Sequence, residues 1–146
     1  AEKLQDKIPV IYSSAKNESL AYNWRIKFHE SAKIPAFHNV FPELNHNEMT
    51  GFDVIDSTKK LSGDMVFMFL QDSNDNSRIQ KRMEVTKKLF EDRGVQVENV
   101  EIKGDSRFHA LFSALVLGDW VALYTSQYYG TISEEVPMVE EFKKLI

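Results

Sequence analysis

The sequence contains no cysteine, which excludes disulfide bonds, a cysteine nucleophile and any thiolate metal site. Glycine and proline are also scarce, with six and four residues, and no internal repeat or low-complexity tract is present. Neither sign of charge is in large excess, because the net charge is −4. Nucleic-acid-binding proteins normally present a basic face, so we expect no nucleic-acid partner. A phosphorylated small molecule remains compatible with this charge, since a single loop can bind one phosphate.

Long apolar runs are missing too. The longest apolar stretch, around Ala114–Leu117, is interrupted by Gly118 and Asp119, so we predict no membrane-spanning segment and no membrane partner. The first residues, AEKLQDK, lack the apolar core of a signal peptide. With 146 residues, 42% hydrophobic and 27% charged, the sequence predicts one globular domain, residues 1–146, of a cytoplasmic protein.

What the sequence does contain is a regular alternation of strand and helix patterns. Four β-branched or aromatic runs are predicted as strands: Ile8–Tyr12, Ala36–Val40, Met65–Leu70 and Val95–Ile102. The predicted helices are Asn17–Lys33, Ser77–Arg93, Ser106 to about Tyr128 with Asp105 as its N-cap, and Pro137–Leu145. The alternation predicts an α/β fold, a three-layer, doubly wound, mainly parallel sheet of four or five strands.

Glu30 is the first candidate for proton-transfer chemistry. It follows Tyr22 and Ile26 at four-residue spacing, near the C-terminus of the predicted helix. Apolar surroundings and the negative end of the helix dipole would both raise the pKa of its carboxyl group toward neutrality. The alternative is a surface ion pair, because Lys27 and Lys33 each lie three residues away.

His46 is the second candidate, because histidine titrates near neutral pH. It falls on the polar face of a short predicted helix that is opened by Pro42 and closed by Gly51. The alternative is a solvated histidine with no function. His29, His38 and His46 do not predict a metal site, since their spacings of nine and eight residues match no ligand pattern.

Ser13 and Ser14 follow the first strand, which is where α/β sheets bind ligands. No glycine lies between Ser13 and Ser19, and neither GxGxxG nor a Walker-type loop occurs in the sequence. We therefore predict that serine or asparagine here caps the following helix rather than binding phosphate.

The segment YNWRIKFHESAKIPAFHNVFPELNHNEMTGF, from Tyr22 to Phe52, resembles the signature block of the bifunctional phosphoglucose/phosphomannose isomerases, as does PVIYSS before it. These enzymes belong to the sugar isomerase (SIS) superfamily. Fainter similarity continues through Gly104-Asp105-Ser106 and Leu117-Gly118-Asp119 to the last helix, so it covers nearly the whole chain. The resemblance implies a flavodoxin-like SIS domain and isomerisation of hexose 6-phosphates through a cis-enediol, without metal or cofactor.

The resemblance also implies roles for three residues. Glu30 matches the base that moves a proton between C1 and C2, although His29 stands where the family has asparagine. His46 matches the histidine that assists ring opening from across a dimer interface. Lys143, with the neighbouring Lys144 as the alternative, matches a lysine that lies beside the substrate near the C-terminus.

The family has two SIS subdomains in each subunit, and this chain looks like the C-terminal one. The N-terminal subdomain, which grips the substrate phosphate, has no counterpart here. The resemblance therefore implies a homodimer that binds a sugar phosphate and needs an N-terminal SIS domain. A second hypothesis is a non-catalytic SIS module for sugar-phosphate sensing or dimerisation. A third, a flavodoxin-like receiver or nucleotide-binding domain, is disfavoured because no glycine loop or acidic pocket follows the first strand.

Overall fold

The computed structural model describes all of residues 1–146, which form one four-stranded sheet with helices on both faces. The strands are β1 (Ile8–Ser14), β2 (Phe37–Phe41), β3 (Met65–Asp72) and β4 (Gln96–Ile102). They lie in the order β2-β1-β3-β4, and every neighbouring pair is parallel. The four predicted strands are thus confirmed. Because all strands run the same way, the sheet has one amino edge and one carboxyl edge.

The helices are α1 (Glu18–Lys27), α2 (Lys59–Ser62), α3 (Ser77–Glu91), α4 (Arg107–Tyr129) and α5 (Pro137–Leu145). The bounds predicted for α3, α4 and α5 hold to within two residues. The N-cap of α4 is Ser106 and not Asp105, because the Ser106 hydroxyl accepts the hydrogen bond from the backbone N–H of His109 (3.1 Å).

Two helical predictions were wrong in their geometry. The predicted helix 17–33 is α-helical to Lys27, continues as a π-helical turn over Phe28–Ala32 and ends at Lys33, whose φ is 59°. Phe28 and Ala32, the first and last residues of the π-helical turn, are both buried. The short helix predicted after Pro42 is two 3₁₀ turns, because the Asn47 side chain accepts a hydrogen bond from the next N–H and starts a second turn.

The core lies in two layers, one on each face of the sheet. In β1, Ile11 points into the layer covered by α1 and α4, and Tyr12 points into the layer covered by α3 and the 3₁₀ turns. Both side chains are fully buried. This confirms the three-layer α/β fold.

Small residues let α4 approach α1 closely. Ala110, Ala114, Gly118 and Ala122 are buried at four-residue spacing along α4. Trp24 of α1 lies against this row, and its indole N–H donates a hydrogen bond to the carbonyl oxygen of Ala114 (2.9 Å). A β-carbon at position 118 would lie 2.8 Å from the Trp24 Nε1 atom, so the contact requires glycine there.

The other side of α4 is apolar and exposed. We define the α4 stripe as its exposed residues at four-residue spacing: Phe108, Phe112, Val116, Trp120, Tyr124 and Tyr128. By length and composition α4 could cross a membrane, which the search for uninterrupted apolar runs did not predict. That search took Gly118 and Asp119 as an interruption of the apolar run. Two residues, however, barely change the mean hydropathy of so long a helix. One such helix is weak evidence for a membrane segment, and here α4 packs against α1 and β4.

Candidate functional site

Glu30 lies on the π-helical turn after α1, near the amino edge where β2 begins. Its side chain is exposed, so the apolar surroundings predicted for it are not present within this chain. Lys27 pairs instead with Asp119 (2.8 Å). Lys33 donates hydrogen bonds to backbone carbonyl oxygens, one of them that of Glu30. The ion-pair alternative is therefore absent, and the Glu30 carboxylate has no partner within the chain.

His29 fixes the backbone beside Glu30. Its Nε2 atom accepts a hydrogen bond from the backbone N–H of Ala36 (3.1 Å), which ties the π-helical turn to the residue before β2. His29 stands where the resemblance leads us to expect asparagine. Its imidazole has a structural role there, through the hydrogen bond with Ala36. It anchors the turn that presents Glu30 to solvent.

His46 lies beyond the carboxyl end of β2, between the 3₁₀ turns Glu43–Asn45 and Glu48–Phe52. Its side chain is exposed and makes no hydrogen bond, whereas the residues before it are anchored. Leu44 is fully buried, and the Asn45 side-chain amide donates to the Thr86 hydroxyl oxygen on α3 (2.8 Å). The loop therefore holds its backbone against the domain and leaves the imidazole exposed to solvent.

Glu48 anchors the same loop from the other side, a role that the sequence analysis missed. Its carboxylate accepts hydrogen bonds from the Tyr12 hydroxyl group and from the Asn39 side-chain amide. Burial, the hydrogen bond to Glu48 and the Glu48 charge all raise the pKa of Tyr12, so the phenol stays protonated and keeps donating. The sequence feature that could have indicated this role is an acidic residue two positions after His46, together with Tyr12 in a strand predicted to be buried.

One chain does not bring Glu30 and His46 together. Glu30 lies at the amino edge of the sheet and His46 beyond the carboxyl edge, with the five residues of β2 between them. At about 3.3 Å per residue, the two ends of β2 are roughly 13 Å apart. Within this chain the two side chains therefore lie at opposite edges of the sheet.

Lys143 is exposed on α5 and donates a hydrogen bond to Glu140 on the same helix (2.7 Å). No residue of α5 is buried, and its apolar side chains, including Met138 and Phe142, face solvent. Within the chain Lys143 therefore pairs with Glu140 and forms no ion pair with Glu30.

The histidines do not assemble a metal-binding cluster. His38 lies within β2, where burial and then the charge of Arg25 lower its pKa. His29 and His46 lie at opposite ends of that strand. No three His, Asp or Glu side chains lie close enough together to hold a metal ion.

A buried ionic cluster at the carboxyl edge was also missed. Asp72, the last residue of β3, is held by Lys16 (3.0 Å) and Arg107 (2.7 Å) and accepts a hydrogen bond from Asn17 (3.3 Å). Burial alone would raise the pKa of Asp72, but hydrogen bonds from the Asn74 backbone N–H and from the Lys16 and Asn17 side chains lower it to about 2. The strand predicted here ended at Leu70, whereas β3 runs on to Asp72.

The residues after β1 do not cap α1, contrary to the prediction. Neither Ser14 nor Asn17 makes a side-chain cap hydrogen bond. The Asn17 amide donates instead to the Ser14 hydroxyl oxygen (3.1 Å) and to Asp72. The Ser13 hydroxyl group donates to the carbonyl oxygen of Ser14 (3.0 Å). All these side chains are buried and already paired, so they present no open phosphate loop.

Solved structures share this fold. A glucose-6-phosphate isomerase-like protein from Thermus thermophilus superposes with a TM-score of 0.70 at 17% identity, covering 92% of this chain and 44% of that one. Glucosamine-6-phosphate deaminase from Thermotoga maritima superposes with a TM-score of 0.63 at 13% identity, covering 92% of this chain and 40% of that one. At these identities the likeness shows the α/β fold alone.

Sequence relatives are closer. A bifunctional phosphoglucose/phosphomannose isomerase from Aquifex aeolicus is 30% identical over 144 residues, which are 99% of this chain and 44% of the relative. One from Caldicellulosiruptor bescii is 36% identical over 142 residues, which are 97% of this chain and 41% of the relative. The chain thus spans about two fifths of the length of these relatives. The family described as bacterial phospho-glucose isomerase C-terminal SIS domain matches residues 1–146, and the chain belongs to that family.

Proposed function

We propose that this chain supplies the general base, Glu30, and the ring-opening histidine, His46, for isomerisation of glucose 6-phosphate or mannose 6-phosphate to fructose 6-phosphate. The observation that carries the proposal is the family match over residues 1–146, which contain both side chains. The geometry supports it, because both side chains are exposed and have no partner within the chain. Proton transfer needs such groups within hydrogen-bonding reach of the substrate.

The chemistry needs one base on one face of the opened sugar. His46 passes a proton while the pyranose ring opens. The Glu30 carboxylate then removes the proton on C2 while O1 gains one, which gives the cis-enediol. Glu30 returns its proton to C1, and the C2 hydroxyl group loses its proton as the C2 carbonyl forms. Glucose and mannose 6-phosphates differ in configuration at C2, so they give the same enediol, and these steps use no cofactor.

The separation of Glu30 and His46 within one chain leads us to propose a homodimer in which the partner copy supplies the histidine. Lys143 is proposed to reach the same pocket, since α5 is not packed against its own sheet. A dimer structure checks this arrangement. A Glu30–His46 separation between copies above roughly 15 Å, five times the ~3 Å reach of a catalytic hydrogen bond, would contradict it.

We further propose that an N-terminal SIS domain completes the pocket and holds the substrate phosphate. The support is that the relatives are more than twice as long as the part that this chain matches. In this proposal the enzyme works in the cytoplasm with a sugar phosphate as substrate, and neither nucleic acid nor membrane takes part.

The decisive variant is Glu30→Gln, in an active enzyme that contains this chain together with its second SIS domain. The amide keeps the size of the side chain but cannot accept the C2 proton as a base. We expect kcat to fall by about 10²–10⁴ for both hexose phosphates, and exchange of the C2 proton with solvent deuterium to fall equally. The matched control is Glu18→Gln, a change at the exposed first residue of α1. This variant should keep the parent rate.

Solvent exchange at C2 decides between the hypotheses. If Glu30→Gln exchanges the C2 proton at the parent rate, Glu30 is not the base. If the assembled protein binds a hexose 6-phosphate without exchanging that proton at all, the non-catalytic SIS module is the better description.

A further inference from the structure

The sheet has a crevice at its carboxyl edge, between β1 and β3. The order β2-β1-β3-β4 reverses direction there, since the connection from β1 leads to α1 on one face and that from β3 leads to α3 on the other. Open α/β sheets hold their ligands at this switch point, outside the carboxyl ends of the strands. What fills this crevice therefore bears on where a phosphorylated sugar is bound.

In this chain the crevice holds the carboxylate of Asp72. The side chain is 2% exposed, and it lies among donors from three separate segments. Arg107 Nη1 lies 2.7 Å from Oδ2 and Lys16 Nζ lies 3.0 Å from the same oxygen. The side-chain amide of Asn17 donates to Oδ2 (3.3 Å), and the backbone N–H of Asn74 donates to Oδ1 (2.9 Å).

These donors are the kinds that proteins use to bind phosphate: a guanidinium, an ammonium, an amide and a backbone N–H. Lys16 precedes α1, and Arg107 is the first residue of the 23-residue helix α4, so both cations lie at helix N-termini. Charge in the cluster is balanced, because Asp72 and Asp75 face Lys16 and Arg107. Without the Asp72 carboxylate, one positive charge and several aimed donors would remain unpaired.

The hydroxyl groups beside the crevice offer no second route to a ligand. Ser13 and Ser14 are both buried, and their side-chain oxygens are engaged by the Ser14 carbonyl oxygen and the Asn17 amide. A phosphate group entering here would meet Asp72 and Asp75, whose negative charges would repel it.

We propose that Asp72 occupies the ligand crevice of this domain as an internal anion, and that its removal uncovers an anion-binding site formed by Lys16, Arg107 and Asn17. The domain then binds no sugar phosphate at its own switch point. In the isomerase proposed above, on which the substrate class rests, this domain contributes side chains from outside its crevice, and another domain holds the phosphate.

The experiment uses the 146-residue chain and inorganic phosphate as the probe. Thermal unfolding is measured against phosphate concentration, with chloride at matched ionic strength as the control for salt. For Asp72→Ala we expect a saturable rise in Tm with phosphate, because a ligand that binds the folded state stabilises it. For the wild-type chain and for Asp72→Asn, which keeps the crevice filled by a neutral amide, we expect no saturable rise.

A double variant assigns the site. Adding Arg107→Met to Asp72→Ala should abolish the phosphate-dependent rise in Tm, while Lys88→Met, a change at an exposed lysine of α3, should leave it unchanged. Asp72→Ser is made in parallel, in case the alanine variant does not fold in chloride. A phosphate-dependent refolding of either variant supports the proposal.

Three results would overturn it: folded Asp72→Ala or Asp72→Ser with no phosphate-dependent shift, failure of both to fold even in phosphate, or an equal shift in the wild-type chain. The cluster would then be a structural crosslink or the crevice an open site. No sugar is turned over in this measurement, so such a result leaves the proposed isomerase function standing.

Discussion

At the scale of single residues, His46 depends on hydrogen bonds made by its neighbours. The loop around it is held by Leu44, by the bond from Asn45 to Thr86 and by the bonds that Glu48 accepts from Tyr12 and Asn39. A side chain that must meet a substrate is more effective on a backbone that is already ordered, because less conformational freedom is lost on binding.

We expect Tyr12→Phe to loosen this loop. The substitution keeps the buried ring but removes the hydroxyl group that donates to Glu48. A hydrogen bond to a charged group contributes about 1.5–3 kcal/mol, and we expect the lower value because Glu48 retains the bond from Asn39. Urea unfolding measures the loss, and amide hydrogen exchange should increase around residues 45–49. The control Tyr22→Phe changes an exposed tyrosine whose hydroxyl group makes no hydrogen bond, and an equal loss there would contradict the assignment.

The lowered pKa of Asp72 leads to a separate prediction about the stability of the folded chain at low pH. Its pKa in the folded chain is about 2, against 3.8 for the unpaired group, so the charged form favours folding. The resulting stability is present above about pH 4 and is lost as the pH falls toward 2, and a shift of this size corresponds to about 2 kcal/mol. Urea unfolding between about pH 5 and pH 2 checks it. The difference in free energy of unfolding between the wild-type chain and Asp72→Asn should become smaller as the pH falls over this range. A constant difference would contradict the claim that the ion pairs of Asp72 stabilise the folded chain.

At the scale of secondary-structure elements, the contact between α1 and α4 limits which residues fit. Gly118 faces the Trp24 indole, and the same indole is bonded to the Ala114 carbonyl oxygen. The ring therefore cannot move aside without losing its hydrogen bond. The contact also sets the position of the π-helical turn, which follows α1 and carries Glu30.

We expect Gly118→Ala to destabilise the chain, although alanine is normally the better helix former by about 1 kcal/mol. The added β-carbon would lie 2.8 Å from Trp24 Nε1, closer than atoms in contact can approach. Overpacking of this kind typically costs about 1–3 kcal/mol. Chemical denaturation compares it with Gly51→Ala, where a β-carbon meets nothing within 4 Å. Equal or greater stability of Gly118→Ala would show that the two helices separate easily.

At the scale of the whole molecule, two helices present apolar surface that nothing in the chain covers. The five aromatic rings of the α4 stripe are each about half exposed or more. Since an aromatic side chain can bury 150–250 Å², these rings leave roughly 500 Å² of surface, as large as the largest apolar patch of an ordinary monomer. The exposed apolar side of α5 adds to it. This surface supports the proposal that the chain works as part of a larger assembly.

We therefore expect the 146-residue chain to have little or no isomerase activity by itself. The pocket lacks a phosphate grip, and binding energy from the remote phosphate normally helps to lower the barrier at the reacting carbons. A coupled assay for fructose 6-phosphate formation from glucose 6-phosphate measures this. Robust turnover by the purified chain would refute the expectation. The positive control is the same assay after addition of the second SIS domain.

The residues of β1 to β4 could be recognised from the sequence because their apolar runs are local and continuous. The end of the first predicted helix could not, since a π-helical turn and an α-helical turn share nearly the same apolar spacing. The loop after Pro42 was likewise taken for one helix, because the hydrogen bond between Asn47 and the next N–H leaves no trace in hydrophobic spacing.

The sequence by itself determined the α/β class, the order of strands and helices along the chain and, through its signature block, the candidates Glu30 and His46. These depend on periodicity and motif, which are properties of neighbouring residues. Only the tertiary structure decided that Asp72 closes the crevice, that Glu48 anchors the His46 loop and that the two candidates lie at opposite edges of the sheet. Arg107 meets Asp72 across 35 residues and Asn17 across 90, and such pairings arise from how the layers stack.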